Sequence, residues 1–234
     1  MPLKAVKSLV RGLASAILAL QRSQSKFVWV LIAVFALVIV NPLLPGQEAG
    51  KHILKLLLSF IILTGILAAS DERQIIRQLT FMGLILIGLD WVTALAARQL
   101  PAMEVTIYVL YLLFVMVVTV AIIIGVARSP IVDYNIICGA VAAYLMIGLS
   151  GGFIALLIET QQPGAFLVNG ELLPRQGLPN ALLYFSMVSL STIGYGDIIP
   201  VAPIARSASL TIGLVGQIYL TVLVAILIGK FMHK

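Results

Sequence analysis

The chain has 234 residues, 61% of them hydrophobic and only 10% charged, where soluble domains carry about 25% charged residues. Repeated apolar stretches of about 20 residues, each long enough to cross a hydrocarbon layer roughly 30 Å thick, exclude a soluble fold and require helices, while the alternation of an outer-membrane barrel is missing. The net charge of +6 sits mainly at helix ends and on the N-terminal segment, which favours anionic lipid headgroups as partners and no nucleic acid, and the single Cys138 leaves neither an intrachain disulfide nor a cysteine metal site.

Residues 1–26 place Leu3, Val6, Val10, Leu13, Ile17 and Leu20 at helical spacing, with Lys4, Lys7 and Arg11 on another face. The expectation is an amphipathic interfacial helix on the inner surface, the other reading being an unstructured basic tail. Apolar spans follow at about Phe27–Leu44, Ile53–Ala69, Ile75–Ala97, Met103–Ala127, Ile131–Ile158 and Pro203–Met232. Six crossings put both termini on one side, and a cytoplasmic N-terminus places ten Lys and Arg inside against five outside, the bias of a multi-pass protein of the plasma (inner) cell membrane. Between the last two spans lies a long connection whose first part, Glu159–Gly177, reads as an irregular outer turret. Leu178–Leu190 reads as a helix too short to cross, and such a re-entrant segment survives at membrane depth only where protein or a water-filled cavity covers its backbone.

That short helix runs into Ser191-Thr192-Ile193-Gly194-Tyr195-Gly196-Asp197. Gly194 and Gly196 can adopt positive φ without penalty, and glycines at alternate positions make it possible for successive carbonyls to point to one side as a ladder while Ile193 and Tyr195 turn their side chains away. The segment resembles the selectivity filter of the potassium-channel superfamily, with Ile193 where Val is usual. The resemblance covers about 100 residues, from the fifth span through Phe231. It implies K+ held at Thr192, Ile193, Gly194 and Tyr195, with Gly196 completing the ladder. It also implies a homotetramer, because one chain supplies one of about four converging carbonyl strands.

The same resemblance assigns supporting parts. Asp197 matches an acid that hydrogen-bonds an aromatic eight positions before the filter threonine, here Tyr184. Many relatives have Trp there. Glu159 matches a glutamate that braces the outer pore, and a simple interfacial charge is the other reading. Gly216 falls where relatives bend the pore-lining helix, although close helix packing by Gly213 and Gly216 explains it equally. Gln217, Val224, Ala225 and Ile228 match positions facing the central cavity.

Four helices before a two-helix pore resembles the six-transmembrane voltage-gated type. The domains expected are the interfacial helix 1–26, a four-helix peripheral unit 27–127 and a pore domain 128–234. The fourth span departs from that type, having no basic residue before Arg128. A charge moved through the field is worth about 2.3 kcal/mol per 100 mV, so weak or absent voltage gating is expected. Asp90 inside the third span has Lys55 of the second as its expected partner. No cofactor is implied beyond K+ as permeant ion, and no catalytic set of an enzyme occurs in the spans. An active transporter would normally carry four pore loops in one chain, and a non-selective cation channel keeps the same fold. Only four residues follow Lys230, so the gate is sought in the membrane part.

Overall fold

The computed structural model describes residues 25–43, 48–69, 73–95 and 101–232. The interfacial helix expected over residues 1–26 therefore lies, except for its last two positions, outside the described residues. Helices occupy the apolar stretches: α1 (Lys26–Val40), continued by a 3-10 turn over Asn41–Leu43, α2 (Glu48–Ala69), α3 (Arg73–Leu95), α4 (Pro101–Arg128), α5 (Tyr134–Gln161), α6 (Leu178–Leu190) and α7 (Pro203–Met232). Four of these stretches, Lys26–Leu43, Met103–Arg128, Tyr134–Gln161 and Pro203–Lys230, are long and apolar enough to cross a membrane by length and composition. α2 and α3 have comparable length, but the apolar part of α2 shortens to His52–Ala68 and α3 carries Arg73, Arg77 and Asp90.

Boundaries differ from the sequence expectation by up to five residues, as where the second helix begins at Glu48 and not Ile53, and two of the differences have evident local reasons. The fifth span begins at Tyr134 and not Ile131, because Pro130 cannot continue a helix and Asp133 caps the new one, its Oδ1 accepting from the Ile136 N–H at 2.8 Å. That side-chain oxygen satisfies one of the orphan donors of the first turn. The first helix ends at Val40, where Asn41 and Pro42 tighten the chain into the 3-10 turn.

α5 is the central post, packed by α4, α1, α6 and α7. Gly148, Gly151 and Gly152 let α6 and α7 approach it. A Cβ on Gly148 would meet Met187 Sδ at 2.6 Å, and one on Gly151 would meet Ile212 at 2.8 Å. Across the groove the buried Ser186 hydroxyl donates to the Gly148 carbonyl at 2.7 Å.

Contacts along its full height fasten the first four helices to the last three. At one end the Phe27 N–H donates to Asn135 Oδ1 at 2.9 Å, and the Phe27 ring fills the space beside Gly139. Midway, Tyr111 of α4 stacks on Phe153 of α5, centroids 5.1 Å apart and rings 2° from parallel. At the other end Asn41 Nδ2 donates to the Asn180 carbonyl in the first turn of α6, 2.9 Å away.

Within the four-helix unit the polar residues close on each other. Lys55 Nζ lies 3.2 Å from Asp90 Oδ1 and donates to the Asp90 carbonyl at 2.7 Å, while the Tyr111 hydroxyl donates to Asp90 Oδ2 at 3.0 Å. The pair anticipated between α2 and α3 is present, with a tyrosine that sequence spacing did not indicate. Every strong acceptor of a carboxylate taken out of water needs a partner of this kind.

The expected irregular turret is ordered. β1 (Phe166–Val168), β2 (Glu171–Leu172) and β3 (Ile198–Pro200) form an antiparallel sheet in the order β2-β1-β3. Its hairpin turns on Asn169-Gly170, with φ of 49° and 85°, the pair of positive values a type I′ turn demands.

Candidate functional site

The glycines mark the segment that follows α6, and its positive backbone torsions begin two residues before the first of them. Thr192, Gly194 and Gly196 have φ of 57°, 61° and 78°, with no positive value at Ile193 or Tyr195 between them. Positive and negative φ thus alternate over the five positions from Thr192 to Gly196, a pattern that glycine adopts without penalty at two of them. Among the described residues, no heavy atom beyond the two chain neighbours lies within 4 Å of a Cβ placed on Gly194 or Gly196. Both are required by their torsion alone.

Thr192 owes its torsion to the end of α6. The Thr192 N–H donates to the Ser189 carbonyl at 3.1 Å and the Ile193 N–H to the Val188 carbonyl at 3.1 Å, the double bond of a Schellman cap with Thr192 in the position usually held by glycine. A β-branched residue there stores roughly 1–2 kcal/mol of strain, and it keeps a hydroxyl at the start of the ladder that glycine would not supply. The Tyr144 hydroxyl of α5 donates to the Leu190 carbonyl at 3.1 Å, and the Ser191 hydroxyl to Met187 O at 2.8 Å. The helix therefore delivers its carbonyl end, carrying about half a negative charge from the summed peptide dipoles, at the first residue of the ladder.

The other end of the ladder is held by the sheet. The Asn169 N–H donates to the Asp197 carbonyl at 2.9 Å, and β3 begins at the next residue, pairing Ile198 with Val168 and Pro200 with Phe166. β1 is in turn held by Glu159, which is 6% exposed at the end of α5. Its Oε1 accepts from the Gly164 N–H at 2.7 Å and its Oε2 from the Phe166 N–H at 2.9 Å. A continuous route thus runs from α5 through Glu159, β1 and β3 to Asp197. The Phe166 ring meets Phe185 of α6 edge-on at 5.1 Å, so both ends of the 192–197 segment refer to one core.

Tyr184 and Asp197 are brought together. The Tyr184 hydroxyl lies within hydrogen-bonding reach of the Asp197 carboxylate.

α7 runs unbroken from Pro203 to Met232 through Gly216. A Cβ on Gly216 would lie 2.8 Å from both the carbonyl oxygen and Cδ1 of Leu190, so glycine there permits the contact between α7 and the end of α6. Gln217, Val224, Ala225 and Ile228 are all exposed, on a helix that its own chain leaves mostly uncovered. The side chains of Ile193 and Tyr195 are likewise 54% and 69% exposed. The residues named from sequence therefore fall into two groups. Glu159, Tyr184, Asp197 and the 192–196 segment form one connected structure, and Gln217, Val224, Ala225 and Ile228 form an exposed, mostly apolar face apart from it.

Sequence reasoning missed Asn169, Gly170, Tyr144 and Ser186. Asn-Gly between two short apolar runs is a strong hairpin signal and would have identified the turn. The hydroxyls of Tyr144 and Ser186 reach across helices 46 and 38 residues away, which no local pattern records.

Residues 153–233 match the family model described as an ion channel. No curated protein and no solved structure matches the chain.

Proposed function

We propose that this ion-channel domain forms a potassium-selective pore, assembled from four copies of the chain, that conducts K+ passively across the plasma membrane with both termini in the cytoplasm. The observation that carries the reading is the alternation of positive φ at Thr192, Gly194 and Gly196, directly after a short helix lodged between two long apolar ones. A bare K+ needs several oxygens at once, and carbonyls supply them without binding so tightly that the ion cannot leave. Thr192, Ile193, Gly194 and Tyr195 hold the ion, Gly196 turns the last carbonyl inward, and Tyr184, Asp197 and Glu159 keep the ladder in place. The exposed Ile193 and Tyr195 side chains and the uncovered α7 face meet neighbouring copies or line the path, with Gln217, Val224, Ala225 and Ile228 along it. Gly216 serves as a packing contact and as the place where α7 bends on gating.

The four-helix unit 27–127 acts as a scaffold with weak or absent voltage sensing. No basic residue lies between Met103 and Ala127, so the fourth span carries no charge to move through the field. Residues 1–26 rest on anionic lipid. K+ is the permeant ion and no cofactor takes part. Liposomes loaded with KCl or NaCl test the reading: the purified protein should release K+ and not Na+, and Gly196→Ala should stop release while the tetramer persists on native gels. Equal release of both ions would refute it.

A further inference from the structure

The inner end of α7 is fastened to the end of α4 by one side chain. An α-helix leaves its last four carbonyls without a helical donor. In α4 these belong to Gly125, Val126, Ala127 and Arg128. The Ser129 N–H takes Gly125 O at 3.2 Å, but the next donor in line would be residue 130, a proline with no N–H. Lys230 of α7 supplies what is missing. Its ammonium donates to Val126 O at 3.1 Å, Ala127 O at 2.9 Å and Ser129 O at 2.7 Å, so all three of its protons are used, and its charge meets the negative end of the α4 dipole. The partners lie 101–104 residues away in sequence.

The direction of this tie follows from the helical wheel. At 100° per residue, Lys230 lies between about 140° and 240° around α7 from Gln217, Val224, Ala225 and Ile228. It therefore pulls the inner end of α7 toward α4 and α5, on the side opposite the exposed face. We infer that Lys230 is a positioning residue that holds the pore-lining helices apart at their inner ends, so that its withdrawal from the α4 carbonyls lets them converge and close the path. This rests on the reading of that exposed face as the conduction path.

Two measurements on the full-length protein separate the tie from the pore. In planar bilayers, Lys230→Met should lower open probability by roughly tenfold or more, the factor expected for loss of one charge-assisted hydrogen bond, with unit conductance and reversal potential unchanged. Lys230→Arg, which keeps the charge and several donors, should retain most of the wild-type open probability. Spin labels at Arg128→Cys and Ile228→Cys on a Cys138→Ala background, diluted with unlabelled chain, report the separation of the two helix ends within one subunit. Lys230→Met should lengthen and broaden that distance. An unchanged distance, or unchanged open probability in a protein that conducts, would overturn the inference. A wild-type protein that carries no K+ current would instead refute the pore reading, and the label distance alone would then decide whether the tie exists.

Discussion

Replacing Glu159 tests how the ladder is held. In Glu159→Ala two backbone donors, the half-buried N–H of Gly164 and the buried N–H of Phe166, lose a carboxylate that accepts at 2.7 and 2.9 Å. Hydrogen bonds to a charged group contribute about 1.5–3 kcal/mol each, so their simple sum is about 3–6 kcal/mol. The 162–166 turn borders solvent on its Gln162-Pro163 side, and water replacing one acceptor reduces the expected loss to about 3–4 kcal/mol. For a chain of this size that corresponds to a fall in thermal midpoint on the order of 10 °C, readable from tryptophan fluorescence of the purified protein. Glu159→Gln keeps one acceptor oxygen and should lose about half as much. Because Glu159 reaches Asp197 only through β1 and β3, the functional effect should appear as shortened openings with K+ over Na+ preference kept. A melting point within 2 °C of wild type for Glu159→Ala, roughly the effect of a neutral surface substitution, would show that the carboxylate is not the anchor of the sheet.

Gly216→Ala should cost about 1–3 kcal/mol through overpacking against Leu190, with a lower thermal midpoint and altered opening rates, since the added Cβ lies 2.8 Å from the Leu190 carbonyl. For the Lys55–Asp90 pair, removing one partner should destabilise more than removing both, because a lone buried charge costs about 3–5 kcal/mol. Lys55→Met and Asp90→Leu, singly and together, measured by denaturant midpoint, check this by their departure from additivity. Gly170→Val places a β-branched residue at a φ of 85° and should destabilise the hairpin by roughly 1–2 kcal/mol, whereas Asn169→Gly should be nearly neutral; the two melting points decide whether the turn is of the type described.

The helices were legible because lipid leaves so few choices. Length, hydropathy and the prolines at 42, 101, 130 and 203 located them to within a few residues, and the shortness of Leu178–Leu190 already separated it from the others. The glycines at 194 and 196 announced their torsions. Thr192 did not, because its left-handed backbone comes from the Schellman cap of α6 and not from its own preference. The turret was misread as irregular because its prolines and glycines were counted as breakers, when Asn169-Gly170 was a turn with strands on both sides. Nothing local in the sequence marks Lys230, and only the fold brings it to the carbonyls that Pro130 leaves unmatched. Gly216 admits two uses from sequence, and the position of Leu190 displays one of them. Contacts between residues 38 to 104 positions apart carry most of what sequence could not give.

The measurement that tests the central claim most directly is the reversal potential of the purified protein in a planar bilayer, with KCl on one side and NaCl on the other. If the carbonyls of Thr192, Ile193, Gly194 and Tyr195 form a potassium filter, current reverses close to the K+ equilibrium potential, and Gly196→Ala carries no current. A reversal near zero would contradict the account.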